Sequence, residues 1–178
     1  MRRPTVALAG LLACAACAGS TNATAATSRE QQALRWLGSQ ISTYQRTTWH
    51  YQRLMGRPKS PTTGDSLSQL GVGGAKIALH RWRRLATKAH RQAQHPPHRA
   101  ALLCIHRFEG SWTDSNAPFW GGLQMDFGFQ ARYGGWLLRK KGTANHWTPI
   151  EQMWTAEKAI RSRGFYPWPN TARYCGLI

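Results

Sequence analysis

The sequence predicts a mainly α protein in which a basic helical hairpin precedes a small helical domain. Apolar residues recur at three- and four-residue intervals over residues 34–55 and again over 75–89, which is the spacing of one helix face. The net charge is +17, and half of the 24 Lys and Arg lie between residues 26 and 97, whereas Gly, Trp and Pro become frequent after residue 97. The 178 residues allow one ordinary domain with an appendage, and 42% hydrophobic residues with nine Trp are enough for a core.

The first 25 residues have the layout of a secretory signal peptide. Arg2 and Arg3 precede an apolar stretch over residues 6–18, and Ala23-Thr24-Ala25 provides an A-x-A cleavage site. A short buried helix is the alternative. We therefore expect a secreted or wall-held protein. Because Cys14 follows Leu-Leu-Ala, the segment also fits a lipoprotein signal, in which Cys14 would be lipidated. No apolar run reaches the roughly 20 residues of a membrane-spanning helix.

Removal of residues 1–25 would leave two cysteines, Cys104 and Cys175. Two distant cysteines in an exported domain most simply form one disulfide, and two free buried thiols are the alternative. No metal site is expected, because these Cys and the four His between residues 80 and 98 lack the usual ligand spacing. Seven Asp and Glu are also too few for a carboxylate-built metal cage.

Residues 26–97 form the predicted hairpin. Gly56 and Pro58 end the first helix, and Pro96-Pro97 ends the second. Since each helix has one apolar stripe, we expect the two to lie antiparallel and to cover each other, with the segment 61–65 as the turn.

The second helix of this hairpin is strongly basic over residues 76–91. No acid occurs between Asp65 and Glu109, and an ordinary solvated face is the plain interpretation. Like charges at three- and four-residue spacing repel, however, so an acidic partner would relieve a cost. Nucleic acid, anionic lipid and an anionic wall polymer all fit by charge. Because export is predicted, we expect an anionic wall polymer or a membrane surface, and no nucleic acid. The cations are Lys76, Arg81, Arg83, Arg84, Lys88 and Arg91.

The domain predicted over residues 98–178 contains one carboxylate in an unusual place. Residues 101–108 are helix-like and Gly110 is a natural C-cap, so Glu109 lies at a helix end, where the macrodipole opposes negative charge. Trp112 and Trp120 follow closely, and a carboxyl in an apolar cleft holds its proton more tightly. That suits a general acid. Arg107 acts in the opposite direction, and a surface Glu is the alternative.

The segments 105–112 (IHRFEGSW), 119–125 (FWGGLQM) and 164–176 (GFYPWPNTARYCG) resemble the transglycosylase-like domain of resuscitation-promoting factors, in an actinobacterial branch. That family belongs to the lysozyme superfamily and acts on bacterial peptidoglycan, so the resemblance implies a small lysozyme-like fold over about residues 98–178. It implies that Glu109 is the catalytic acid/base and that Gln124 hydrogen-bonds the sugar or its N-acetyl group. Gly121 and Gly122 would line the cleft, and the Cys104 and Cys175 pair would match the family's disulfide.

This chain departs from the family at two points. The family usually has Cys-Glu-Ser-Gly-Gly, whereas here the Cys lies five positions before the Glu. The segment between Glu109 and Gly121 is also about three residues shorter than the family pattern. Trp112 and Trp120 offer flat faces for stacking on sugar rings, and a place in the core is the alternative for each.

A second carboxylate would be needed for most glycoside hydrolases. Asp126 directly precedes a helical pattern over residues 127–139, so we expect it to be an N-cap. Glu151 forms a capping box with Thr148, and Glu157 lies inside the same helix. Asp114, in the loop that would face the cleft, is the remaining candidate for an electrostatic stabiliser.

One acid without a dedicated partner favours a lytic transglycosylase that cuts the β-1,4 bond between N-acetylmuramic acid and N-acetylglucosamine in peptidoglycan glycan strands. Glu109 would protonate the glycosidic oxygen and then act as base on the 6-hydroxyl of the muramic acid, which gives a 1,6-anhydro product. A hydrolase using water is the close alternative, and neither needs a cofactor. The rival classes are a non-catalytic wall-binding module and a cationic protein that acts on membranes or nucleic acid through charge alone.

Overall fold

The computed structural model describes residues 19–178 apart from 63 and 65, with side chains from residue 27 onward. The apolar stretch of the predicted signal peptide and Cys14 lie outside the described residues. The described chain is mainly helical, which confirms the predicted class, and none of its helices is long and apolar enough to cross a membrane. The elements are α1 (Gly19–Leu54), α2 (Leu67–Ala93), α3 (Arg99–Glu109), β1 (Phe119–Trp120), β2 (Met125–Asp126), α4 (Phe127–Lys141), a 3-10 turn (Ala144–His146), α5 (Pro149–Arg163) and α6 (Pro169–Tyr174).

Helices α1 and α2 form a packed pair, but they run in the same direction. Arg83 of α2 lies over the ring of Tyr44, 5.9 Å from its centre, and the rings of Tyr51 and His90 are 5.0 Å apart. The contacts therefore advance together along both helices. The apolar stripes do bury against each other, with Trp82 2% exposed, but the prediction of an antiparallel hairpin is wrong.

The connection between the two helices explains this orientation. After Gly56 the chain runs back along α1, where Ser60 accepts a hydrogen bond from Trp49 Nε1 (3.0 Å) and donates its N–H to Gln52 Oε1 (2.9 Å). Helix α2 then begins beside the middle of α1 with Ser66 as its N-cap. Proline favours extended backbone, and Pro58 and Pro61 lie in this return segment (residues 55–62). The turn predicted over residues 61–65 includes residues 63 and 65, which lie outside the described residues.

The C-terminal ends of α1 and α2 pack into the same core as the rest of the chain. Leu54 and Ala93 are fully buried in one cluster with Leu102 and Leu137, and Trp154 Nε1 donates to the carbonyl of Ala93 at 2.8 Å. The packing is therefore continuous across residue 97, where the composition changes.

The helix end predicted at Gly110 and the helix starts predicted at Asp126 and Thr148 are confirmed. Gly110 (φ +116°) follows α3, and Gly164 (φ +58°) likewise follows α5. Asp126 Oδ1 caps α4 by accepting from Phe129 N at 2.7 Å, and Glu151 forms the expected capping box at α5. The antiparallel pair β1–β2 and helix α6 were not predicted, because two- and six-residue elements are too short to show a period.

Candidate active site

Glu109 is the last residue of α3, as the sequence predicts, and its side chain is partly exposed. Thr171 Oγ1 donates a hydrogen bond to Glu109 Oε1 at 2.7 Å. Within the described part of the chain no group bonds to Oε2, which leaves that oxygen available for a proton. Thr171 is in α6 and is 8% exposed, so the contact comes from a fixed position. Sequence reasoning missed Thr171, since nothing local relates two residues 62 positions apart.

The predicted disulfide holds the two helices that carry this contact. Cys104 in α3 is bonded to Cys175, which follows α6 directly, and their Cα atoms are 6.0 Å apart. The disulfide is thus confirmed, and it agrees with an extracellular location. Because Glu109 lies five residues after one cysteine and Thr171 four before the other, the crosslink restricts the relative position of carboxylate and hydroxyl.

Asp114 and Gln124 are brought together beside the end of α3. Gln124 Nε2 donates to Asp114 Oδ2 at 2.9 Å, and a Cβ on Gly110 would lie 3.7 Å from that same oxygen. The other carboxylate oxygen accepts from the backbone and side chain of Asn116 (3.1 and 2.6 Å). Asp114 is therefore fully engaged, whereas Gln124 Oε1 receives no hydrogen bond from any described residue. That acceptor is the group that Gln124 can offer to a hydroxyl or an N-acetyl N–H.

The Gly121-Gly122 pair is buried, and its packing accounts for both glycines. Gly121 has φ +75°, and a Cβ there would lie 2.5 Å from Gln152 Oε1. A Cβ on Gly122 would lie 2.5 Å from His106 Nδ1, whose ring also bonds to the carbonyl of Gly122 (3.0 Å). The glycines therefore permit a close approach of protein groups, and the contact with sugar that we expected of them stays a prediction.

Gln152 of α5 organises this turn and was not foreseen from the sequence. Its side chain is fully buried; Oε1 accepts from Gly122 N at 2.9 Å, and Nε2 donates to the carbonyl of Trp112 at 2.8 Å. A buried amide that meets two separate loops fixes the turn relative to the end of α3. A glutamine inside an apparently ordinary helix has no sequence signal for this role.

The two tryptophans predicted to bind sugar are each half-buried. Trp112 stacks on His106, with ring centres 3.9 Å apart and an interplanar angle of 23°. Trp120 lies in β1 and packs against the core. Phe119 is 45% exposed and lines a cavity of about 90 Å³ together with Gln124, so it offers more free ring surface at the turn than either tryptophan.

The remaining carboxylates of this region serve the fold. Glu151 is 2% exposed and is held by Lys141 Nζ at 2.6 Å and His50 Nε2 at 3.3 Å. Burial raises the pKa of this carboxyl, but the hydrogen bonds from His50, Lys141 and the Thr148 N–H outweigh it and lower the pKa to about 2. Glu157 is 1% exposed and accepts from the N–H and Nδ1 of His98 at 2.6 and 2.9 Å.

Among the described residues, no group of three or more His, Cys, Asp or Glu is placed to hold a metal ion. No family model, curated protein or solved structure matches the chain significantly. The site presents the partly exposed Glu109 carboxylate, one oxygen of which receives no hydrogen bond from any described residue. It lies at the end of α3, beside the loop in which Asp114 and Gln124 bond to each other.

Proposed function

We propose that the protein is a secreted peptidoglycan-cleaving enzyme, in the first instance a lytic transglycosylase, with Glu109 as general acid/base. It would cut the β-1,4 bond between N-acetylmuramic acid and N-acetylglucosamine. The observation that supports this best is the state of the Glu109 carboxylate, since Thr171 fixes Oε1 while Oε2 has no partner among the described residues. A general acid needs such a positioned group with one oxygen free to exchange a proton.

In the first step Glu109 Oε2–H donates its proton to the glycosidic oxygen, and the bond from the muramic acid C1 to that oxygen breaks. N-acetylglucosamine leaves with the proton, and positive charge develops on the muramic acid ring. The carboxylate then takes the proton of the 6-hydroxyl, whose oxygen bonds to C1. The product is a 1,6-anhydro sugar, no water is consumed, and Glu109 is again protonated. Thr171 Oγ1 donates a hydrogen bond to Glu109 Oε1 in both steps and so leaves Oε2 to exchange the proton with the substrate.

The roles of the other acids favour this reaction over hydrolysis. An inverting hydrolase needs a second carboxylate to activate water. Asp126, Glu151 and Glu157 all cap or bind protein groups, and both oxygens of Asp114 accept protein hydrogen bonds. Asp114 therefore supports the loop and contributes negative charge near the developing cation. The 6-hydroxyl of the muramic acid is the nucleophile, and it needs no base besides Glu109.

The test is the identity of soluble fragments released from purified peptidoglycan by the oxidised protein, measured by mass spectrometry. We expect 1,6-anhydro muropeptides from the native chain and none from Glu109→Gln. Glu30→Gln, which neutralises an exposed acid of α1, is the matched control and should release the native amount. Reducing-end products would assign a hydrolase, and undiminished products from Glu109→Gln would remove Glu109 from the mechanism.

The second candidate is a non-catalytic wall-binding module. The bonding of both Asp114 oxygens to protein groups favours it, because that carboxylate is then not free to assist catalysis, while Gln124 Oε1 can still accept from a sugar. It predicts that no muropeptides appear from several wall types, while Glu109→Gln still sediments with wall material as the native chain does.

We also propose that residues 76–91 hold the protein on an anionic wall polymer. Exposed cations of α2 line a groove of about 480 Å³, formed by His80, Arg83, Arg84, Thr87, Lys88 and Arg91. Most of the apolar face of this part of α2, including Trp82 and Ala86, is buried, whereas Ile77 is 73% exposed. One exposed isoleucine is much less apolar surface than a helix that inserts into lipid presents, so a wall polymer suits the surface better than a membrane.

Salt-dependent retention on intact walls tests this tether. Changing Arg84, Lys88 and Arg91 to Gln should weaken retention and flatten its salt dependence, since fewer counterions are exchanged. The same change at the exposed Arg99, Arg132 and Arg173 is the control of equal charge. Equal effects of the two triple variants would show that net charge, and not this groove, determines retention.

A further inference from the structure

A cavity of about 220 Å³ lies where α1 and the segment after it meet α4. Trp49, His50 and Arg53 line it from α1, Lys59 lines it from the return segment, and Trp136 lines it from α4. Arg46 and Lys140 complete the wall. The cavity therefore brings two indole rings and four permanent cations together at the seam between the helix pair and the remainder of the fold.

Ring faces hold two of these cations in place. The Arg53 guanidinium carbon is 4.6 Å from the centre of the Trp136 ring, and Lys59 Nζ is 5.3 Å from the centre of the Trp49 ring. Such contacts position a cation without neutralising it. A guanidinium stacked on an indole keeps the N–H groups at its edge free, and that edge is the part that bonds an oxyanion through two parallel hydrogen bonds.

No carboxylate lines this cavity. His50 contacts Glu151, but that acid is already bound by Lys141 Nζ at 2.6 Å. Arg53, Lys59 and Lys140 donate no hydrogen bond to any described residue. Four like charges around one small volume repel each other, and none of the four forms an ion pair with a described carboxylate.

Trp136, a lining residue of this cavity, also has an unsatisfied donor. Its Nε1–H is buried and has no acceptor among the described residues. The N–H of Trp49, by contrast, already bonds to the carbonyl of Ser60. Leaving a buried donor unpaired is costly, so a ligand oxygen that reached the Trp136 N–H would relieve this cost.

We propose that this cavity binds a phosphate-type oxyanion, either free phosphate or the phosphate ester of a larger molecule. Phosphate has more acceptor oxygens and, near neutral pH, more charge than a carboxylate, and therefore suits four cations and an N–H group better. Because Arg53 is in α1 and Lys140 in α4, a bound anion would link the helix pair to the rest of the fold. The proposal is independent of Glu109 and of peptidoglycan cleavage.

Titration calorimetry on the full oxidised chain, at constant ionic strength, tests the site with inorganic phosphate and with glycerol 1-phosphate. The double variant Arg53→Gln/Lys140→Gln should bind both at least about tenfold more weakly, since the loss of even one charge-assisted hydrogen bond costs about one decade of affinity. The control is Arg132→Gln/Arg139→Gln, which removes the same charge from exposed positions of α4 and should keep native affinity. Binding of inorganic phosphate alone would assign the free ion as ligand, and tighter glycerol 1-phosphate binding would assign an ester.

The indole N–H signals in a nitrogen-proton NMR spectrum give a second measurement. We expect phosphate to shift the Trp136 signal, which Trp136→Phe identifies, more than the signal of Trp49. Equal affinity for acetate, equal weakening in both double variants, or an unmoved Trp136 signal at saturation would overturn the proposal. Glu109→Gln should bind phosphate as the native chain does, so the outcome is separate from that of the cleavage assay.

Discussion

The network around Glu151 predicts how stability depends on pH. The carboxylate is 2% exposed and is bound by Lys141 Nζ, His50 Nε2 and the N–H of Thr148. Burial alone would raise its pKa, but these bonds lower it to about 2 from the ordinary value of 4.5. A group whose pKa is lower in the folded than in the unfolded state stabilises the fold when it is ionised.

The size of the effect follows from that shift. At about 1.4 kcal/mol for each pKa unit, ionised Glu151 contributes about 3 kcal/mol. This contribution is complete above pH 4.5, the unfolded value, and is lost as the pH falls from there to about 2. Within this interval the native chain should therefore lose about 3 kcal/mol more of its unfolding free energy than Glu151→Gln, which has no proton to gain at this position.

Urea unfolding of the oxidised protein at pH 6, 4.5, 3.5 and 2.5 provides the measurement. At pH 6 we expect Glu151→Gln to be less stable by roughly 3 kcal/mol, because Lys141 loses its buried counter-charge. Glu30→Gln, an exposed acid on α1, should follow the native chain at every pH. Parallel curves for the native chain and Glu151→Gln would refute the argument, since the network would then contribute nothing that depends on this proton.

Three further outcomes follow from the site. Thr171→Val should lower kcat for peptidoglycan about tenfold with little change in KM, because the proposed acid loses the one hydrogen bond that a described residue gives it. Thr171→Ser should keep the native kcat, and a native kcat for Thr171→Val would contradict the role. Changing Cys104 and Cys175 to Ser should lower the unfolding free energy by about 4 kcal/mol, as expected for a crosslink over 71 residues, and unchanged urea unfolding would contradict this. Gly122→Ala should destabilise by roughly 1–3 kcal/mol, because its Cβ would lie 2.5 Å from the His106 ring, whereas Gly135→Ala in α4, with its nearest neighbour at 3.5 Å, should be neutral or slightly stabilising in thermal unfolding.

The features that could be predicted from the sequence are those determined within a few residues. Asp126 and Glu151 are caps because their side chains bond the backbone three residues away. Gly110 ends α3 because its φ of +116° suits glycine, and this places Glu109 at the helix terminus. The apolar period of α1 and α2 likewise shows which faces are buried, since a period is a property of each helix by itself.

The features that could not be predicted depend on residues far apart in the chain. An apolar stripe is satisfied equally by a parallel or an antiparallel neighbour, so the direction of α2 depends on where Ser60 bonds along α1. Thr171 lies 62 residues from Glu109, and Gln152 lies 30 from Gly122. Neither has a local pattern that distinguishes it from any other polar residue on a helix.

Helix α5 explains why the two compositionally different regions belong to one structure. Its buried polar residues bind different parts of the chain. Glu151 binds His50 and Glu157 binds His98. Gln152, in contrast, binds Gly122 N and the carbonyl of Trp112. The acid Glu157 has both oxygens bonded to His98, the first residue after the change in composition. A buried carboxylate without these donors would be costly, so His50 of α1 and His98 help to determine the stability of the helix that positions the candidate site. The basic helix pair is therefore joined to the candidate site through α5. A ligand bound between α1 and α4 would also act on α5, because His50 lines that cavity and contacts Glu151.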